Sequence, residues 1–82
     1  MNENGYYMYF VQIMQLNSSN SIKTIHTRHI RATSVMDVQR IVYADCQYLD
    51  IVGDITLRFQ RVLFGKSYGP VYTGRLCIIN NK

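Results

Sequence analysis

The chain has 82 residues, 48% of them hydrophobic, and its nine Lys and Arg against five Asp and Glu give a formal net charge of +4. These values exclude a disordered chain and fit one globular domain, residues 1–82, with one core. The longest apolar run, residues 6–11, is far shorter than the roughly 20 residues that span a bilayer. The first residues also lack the basic start of a signal peptide, so we expect a cytoplasmic protein with no membrane partner.

The first part of the chain predicts a β-hairpin. We expect residues 1–5 to be disordered. Residues 6–16 are rich in aromatic and β-branched side chains, which favour a strand. Turn-forming residues at 17–21 separate them from a second predicted strand, residues 22–33. Both faces of the first strand are apolar. One face can meet a helix, and the other face, or the edge, predicts either a homodimer or a partner protein.

After residue 33 the hydrophobic period changes to three and four residues, which predicts a helix. Its mostly apolar face carries Val35, Val38, Ile41, Val42, Asp45 and Leu49. Either Thr33 or Ser34 suits the N-cap, and Asp37 follows Ser34 by three residues, as in a capping box. The helix is expected to end within residues 48–50, before Gly53.

The last part of the chain predicts a second hairpin. Residues 54–64 alternate, with Ile55, Leu57 and Phe59 on one face. Residues 65–70 are expected to form a loop, and residues 71–80 a final strand. The fold class is therefore α+β with the order ββαββ: a four-stranded, mainly antiparallel sheet with one helix packed on one face.

Charge is unevenly distributed along the chain. Four of the five acids, Asp37, Asp45, Asp50 and Asp54, lie in or just after the predicted helix, and the hairpins carry most of the basic residues. This predicts an acidic helix side and a basic sheet side, which attracts anionic partners. Tyrosine and arginine together are typical of binding interfaces. The predicted partner-binding residues are Lys23, Arg28, Arg31, Arg58, Arg61, Lys66, Arg75, Tyr7, Tyr9 and Tyr68.

The residue pattern does not favour catalysis. No carboxylate pair has acid–base spacing, and His26 and His29 would point to opposite faces of a strand, so they cannot share a metal. Cys46 and Cys77 are isolated thiols, which we interpret as buried or half-buried apolar residues. We therefore expect no enzymatic activity, no cofactor and no metal.

Two segments resemble a known family. Residues 30–42 (IRATSVMDVQRIV) combine a strand end, a cap and a helix start, and residues 53–59 (GDITLRF) read as the strand after the helix. This arrangement resembles small single-domain phage anti-CRISPR proteins that inhibit the type I-F surveillance complex. The likeness covers about half of the chain, and the first strand departs from it because it is richer in tyrosine. The resemblance implies a ββαββ viral inhibitor that occupies the nucleic-acid-binding surface of a host ribonucleoprotein.

Two functional hypotheses follow. The first is a small, basic, non-enzymatic inhibitor or adaptor from a virus or mobile element, which binds a host protein or ribonucleoprotein in the host cytoplasm. The second is a small protein that binds DNA or RNA through a basic, tyrosine-containing face of the sheet. Direct phosphate contacts would make binding fall steeply with salt, whereas a protein interface would be less sensitive.

Overall fold

The fold was obtained as a computed structural model that describes residues 5–17 and 19–79, and its elements follow the predicted ββαββ order. The elements are β1 (Tyr7–Leu16), β2 (Ile22–Ala32), α1 (Val35–Tyr48), β3 (Gly53–Leu63) and β4 (Lys66–Ile78). The strands form one antiparallel sheet in the spatial order β2-β1-β3-β4. The α+β prediction is confirmed. The expected disorder of residues 1–4 and the expected strand end at residue 80 lie outside the described residues.

The position of β1 differs from one part of the prediction. A free edge on β1 was one predicted route to association, but β1 lies between β2 and β3, and the sheet edges are β2 and β4. An edge-to-edge contact of the described sheet could therefore use only β2 or β4. No described helix is both long enough and apolar enough to cross a membrane.

The helix begins at a side-chain cap. Ser34 is the N-cap, and its hydroxyl accepts a hydrogen bond from the Asp37 amide at 3.1 Å. The reciprocal bond of the predicted capping box is shifted by one residue, because the Asp37 carboxylate accepts from the Thr33 amide at 3.3 Å. Arg40 also donates to this carboxylate at 2.6 Å. The hydrogen bonds from Arg40 and then from Thr33 lower the pKa of the Asp37 carboxyl.

The core lies between α1 and one face of the sheet. Its fully buried side chains come from the alternate positions of the two central strands and from one face of the helix. They are Tyr9, Val11, Ile13, Ile55, Leu57, Phe59, Val38, Val42 and Cys46, with Ile30, Ala32 and Ile78 at its sides. The prediction that Ile55, Leu57 and Phe59 share one face of β3 is thus confirmed, and that face is the buried one. The Tyr9 and Phe59 rings pack edge to face, with centroids 5.8 Å apart.

The second hairpin is tighter than predicted. The loop expected at residues 65–70 is wrong, because β4 already begins at Lys66. Only Phe64 and Gly65 form the turn, and both have positive φ (51° and 76°), as a type I′ turn requires. Gly69 and Pro70, whose residue types favour a turn, instead form a bulge in β4 opposite Gln60. Proline is tolerated there because β4 is an edge strand.

The two thiols lie in different environments. Cys46 is fully buried in the core, whereas Cys77 is exposed, which corrects the expectation that both are at least half buried. Burial, and to a smaller extent the neighbouring Asp45 carboxylate, raises the pKa of the Cys46 thiol.

We expect a thiol reagent at pH 8 to modify Cys77 rapidly and Cys46 only as the domain unfolds, because the reacting species is the exposed thiolate. Intact-protein mass spectrometry over time would detect one fast addition in buffer and two in denaturant. Two equally fast additions in buffer would contradict the packing of α1 on the sheet, and the Cys77→Ser variant provides the control.

Candidate binding surface

The strand register separates two faces of the sheet. One face packs on α1, and the opposite one, which we call the open face, is covered by no described element. By alternation from the paired residues, the open face carries Met8, Phe10, Gln12 and Met14 of β1, Thr24, Thr27, His29 and Arg31 of β2, Asp54, Thr56, Arg58 and Gln60 of β3, and Val71, Thr73, Arg75 and Cys77 of β4.

An apolar strip runs along β1 on the open face. Met8, Phe10 and Met14 form it, and Gln12 interrupts it. The Phe10 ring lies 5.2 Å from the His29 ring, centroid to centroid. On its other side, Phe10 borders a shallow hollow that is also lined by Arg58 and Val71. The strip is therefore only partly buried by its neighbours within the sheet.

Three arginines flank this strip. Arg31 extends from β2, Arg58 from β3 and Arg75 from β4, and all three are exposed. None of them forms a salt bridge with another described residue. Among residues 5–17 and 19–79, Asp54 is the only carboxylate on the open face, where it borders a second hollow with Arg75. The open face therefore keeps a net positive charge.

Arg28 does not belong to the open face, although it is one of the predicted partner-binding residues. It lies opposite Val11 in the register, and hence on the face that packs on the helix. Its guanidinium forms a salt bridge with Asp45 of α1 at 2.5 Å. Side chains alternate between the two faces along β2, and Arg31 is three residues from Arg28. The two arginines therefore lie on opposite faces, with Arg31 on the open face.

Arg61, Tyr7 and Tyr9 also lie on the helix-facing side. Arg61 is paired with Tyr9 across the strands, its guanidinium carbon lies 3.9 Å from the Tyr7 ring centroid, and its Nε donates to the Tyr9 hydroxyl at 3.4 Å. That hydrogen bond raises the pKa of Arg61. Tyr9 is fully buried and cannot meet a partner, and Tyr7 is half buried. These three residues form a structural cation–π cluster.

The other predicted residues lie at the ends of the sheet. Lys23 is exposed near the first hairpin turn, opposite Gln15, and Lys66 follows the second turn directly. Tyr68 lies within β4 opposite Arg61, and not in the loop predicted at residues 65–70. The structure thus groups Arg31, Arg58 and Arg75 on one face and separates the remaining predicted residues from them.

The predicted acidic helix side is largely neutralised. Asp37 is paired with Arg40, and Asp45 with Arg28.

Phe10 was missed as a candidate, although its alternation with Tyr9 in β1 could have placed it on the outer face. His26 and His29 are opposite Ile13 and Phe10, so they point to opposite faces, as predicted.

Within the described ranges, no group of three His, Cys, Asp or Glu side chains could hold a metal ion. Comparison with protein-family models, with curated proteins and with solved structures finds no match to this chain. The anti-CRISPR resemblance therefore stays a prediction.

Arg61 on the helix-facing side and Arg58 on the open face give a direct test of the assignment of faces. We expect Arg61→Glu to lower the free energy of unfolding by about 1 kcal/mol or more, since it removes the stacking on Tyr7 and the bond to Tyr9. In a domain of this size the Tm would fall by roughly 4–8 °C. Arg58→Glu, on the open face, should leave the Tm nearly unchanged. Thermal melting by circular dichroism measures both, and equal effects would contradict the assignment of faces.

Proposed function

We propose that the chain is a non-enzymatic binding protein that docks on a partner protein through the open face. One observation carries this proposal: an apolar strip, flanked by three arginines that form no ion pair with a described residue, lies on a face that no described part of the chain covers. A domain this small has little stability to spare for apolar surface without a use.

The layout of the open face is that of a protein interface. Such interfaces have an apolar centre within a polar rim, and they are enriched in aromatic residues, methionine and arginine. Phe10, Met8 and Met14 correspond to the centre, and Arg31, Arg58 and Arg75 to the rim. A partner surface that complements this face has an apolar patch surrounded by carboxylates.

The inhibitor hypothesis fits this surface under one condition. A virus- or mobile-element-encoded inhibitor with this open face would need acidic side chains on the host ribonucleoprotein or enzyme that it binds. The host surfaces that bind phosphates are themselves basic and do not provide them. A positively charged open face would be repelled by a purely basic cleft. We therefore place the docking site of such an inhibitor on an acidic rim beside the nucleic-acid-binding surface, so that it blocks access from the side.

Single-stranded nucleic acid is the second candidate ligand. It is favoured by the Phe10 and His29 rings, which lie next to each other on an open antiparallel sheet with Arg58 nearby. Exposed aromatic rings on such sheets stack bases, and arginines neutralise phosphates. The open face supports this candidate less well than a protein partner. Base stacking would depend on the rings of Phe10 and His29, whereas a protein partner is supported by three apolar side chains and three arginines.

Capture from host lysate, with and without nuclease, would identify the partner, and a titration would then locate the surface. We expect Arg58→Gln and Arg75→Gln each to weaken binding about tenfold or more, since each removes a charge at the interface. Arg40→Gln is the matched control, because it removes the same charge from the exposed face of α1 and should change affinity less than about threefold.

Salt dependence separates the two candidates. A nucleic acid ligand would give a slope of log affinity against log salt of roughly −0.7 per phosphate contacted on a single strand, and a protein partner a shallower one. Normal binding by Arg58→Gln and Arg75→Gln, with loss in Arg40→Gln, would show that α1 is the working surface and the proposal is wrong.

A further inference from the structure

Near its turn, the second hairpin is no longer paired with β1. β1 pairs with β3 only as far as Tyr9 and Arg61. Beyond that point, β3 and β4 pair only with each other, through Val62 with Ser67 and Leu63 with Lys66. We call residues 62–67 the hairpin tip. β1 continues to Tyr7 paired with β2 alone, so the hairpin tip is a two-stranded end of the described sheet.

Phe64 at the end of the hairpin tip is unfavourable for the free protein in two ways. Phe64 is 94% exposed, and the adjacent Leu63 is 53% exposed. Its φ of 51° lies in the left-handed region, where bulky residues are true outliers, and a type I′ turn strongly prefers Asn, Asp or Gly at this position. The first hairpin turn has Asn20 at a φ of 66°, so the same chain uses the expected residue type elsewhere.

We propose that the hairpin tip is the anchor of the protein interface, with Phe64 inserted into an apolar pocket on the partner. This inference depends on the proposed function, because it assumes that the partner is a protein. The tip is continuous with the open face: Ser67 lines the hollow that also contains Phe10 and Arg58. A two-residue turn holds Phe64 in place before binding, which reduces the entropy lost on association.

Charge defines the rim of the partner pocket. Lys66 directly follows the turn, and the sequence contains no Asp or Glu after Asp54. A pocket that accepts Phe64 would therefore be favoured by carboxylates at its edge, within reach of Lys66. Large aromatic side chains buried in such pockets are the usual energetic centres of interfaces.

The first test needs no partner. We expect Phe64→Asn to raise the Tm by about 4 °C or more, because Asn tolerates the left-handed conformation and removes an exposed ring. Tyr48→Asn is the matched control: Tyr48 is also an exposed aromatic residue, at 88%, but it ends the helix, and its replacement should not raise the Tm. A lower Tm for Phe64→Asn would mean that the ring stabilises the fold, and it would overturn the proposal.

The second test uses the partner protein recovered by the wild-type chain. Phe64→Asn should weaken its binding at least 30-fold although the domain is more stable, whereas Tyr48→Asn should change affinity less than threefold. Normal binding by Phe64→Asn together with weak binding by Arg58→Gln would overturn the anchor and leave the proposed function intact. Normal binding by both variants, or a partner that proves to be a nucleic acid with Phe64 inserted between bases, would overturn both.

Discussion

The constraint on which the rest of this structure depends is that one helix must cover a long four-stranded sheet. A helix of 14 residues is about 21 Å long, whereas strands of 10 to 13 residues extend roughly 33–44 Å. The helix therefore covers only the middle of one face, where Tyr9, Val11 and Leu57 are fully buried. The opposite face and the end of the second hairpin are covered by no described element, and they carry the proposed binding function.

Alternation along the strands then gives equivalent residues different roles. Arg28 and Arg61 are on the helix-facing side, where they contact Asp45, Tyr7 and Tyr9 and stabilise the borders of the core. The arginines on the open face have no such partners within the described chain. A charge without an ion pair contributes little to folding, so it is available for association at little cost to stability. Under the proposed function, nearby positions along one strand thus divide between stability and binding.

The order of helices and strands was predicted correctly from the sequence, but most of the residues predicted to bind a partner do not lie together on the open face. The change of hydrophobic period located α1, and alternation correctly placed Ile55, Leu57 and Phe59 on one face of β3. The spatial order of strands could not be read, because it depends on which strand meets α1, and so the central position of β1 was missed. Gly69 and Pro70 suggested a loop because both residue types favour turns and bulges alike. Predicting Tyr9 as a contact failed because composition alone does not say which side of a strand faces the core.

The most direct test of the central claim is oxidation of methionines by hydroxyl radicals in the free protein and in its complex, read by mass spectrometry. Met8 and Met14 lie on the open face, whereas Met36 is 78% exposed on α1 and serves as an internal reference. If the open face is the binding surface, the partner will slow oxidation of Met8 and Met14 and leave the rate at Met36 unchanged. Protection of Met36 with continued oxidation of Met8 and Met14 would contradict this account.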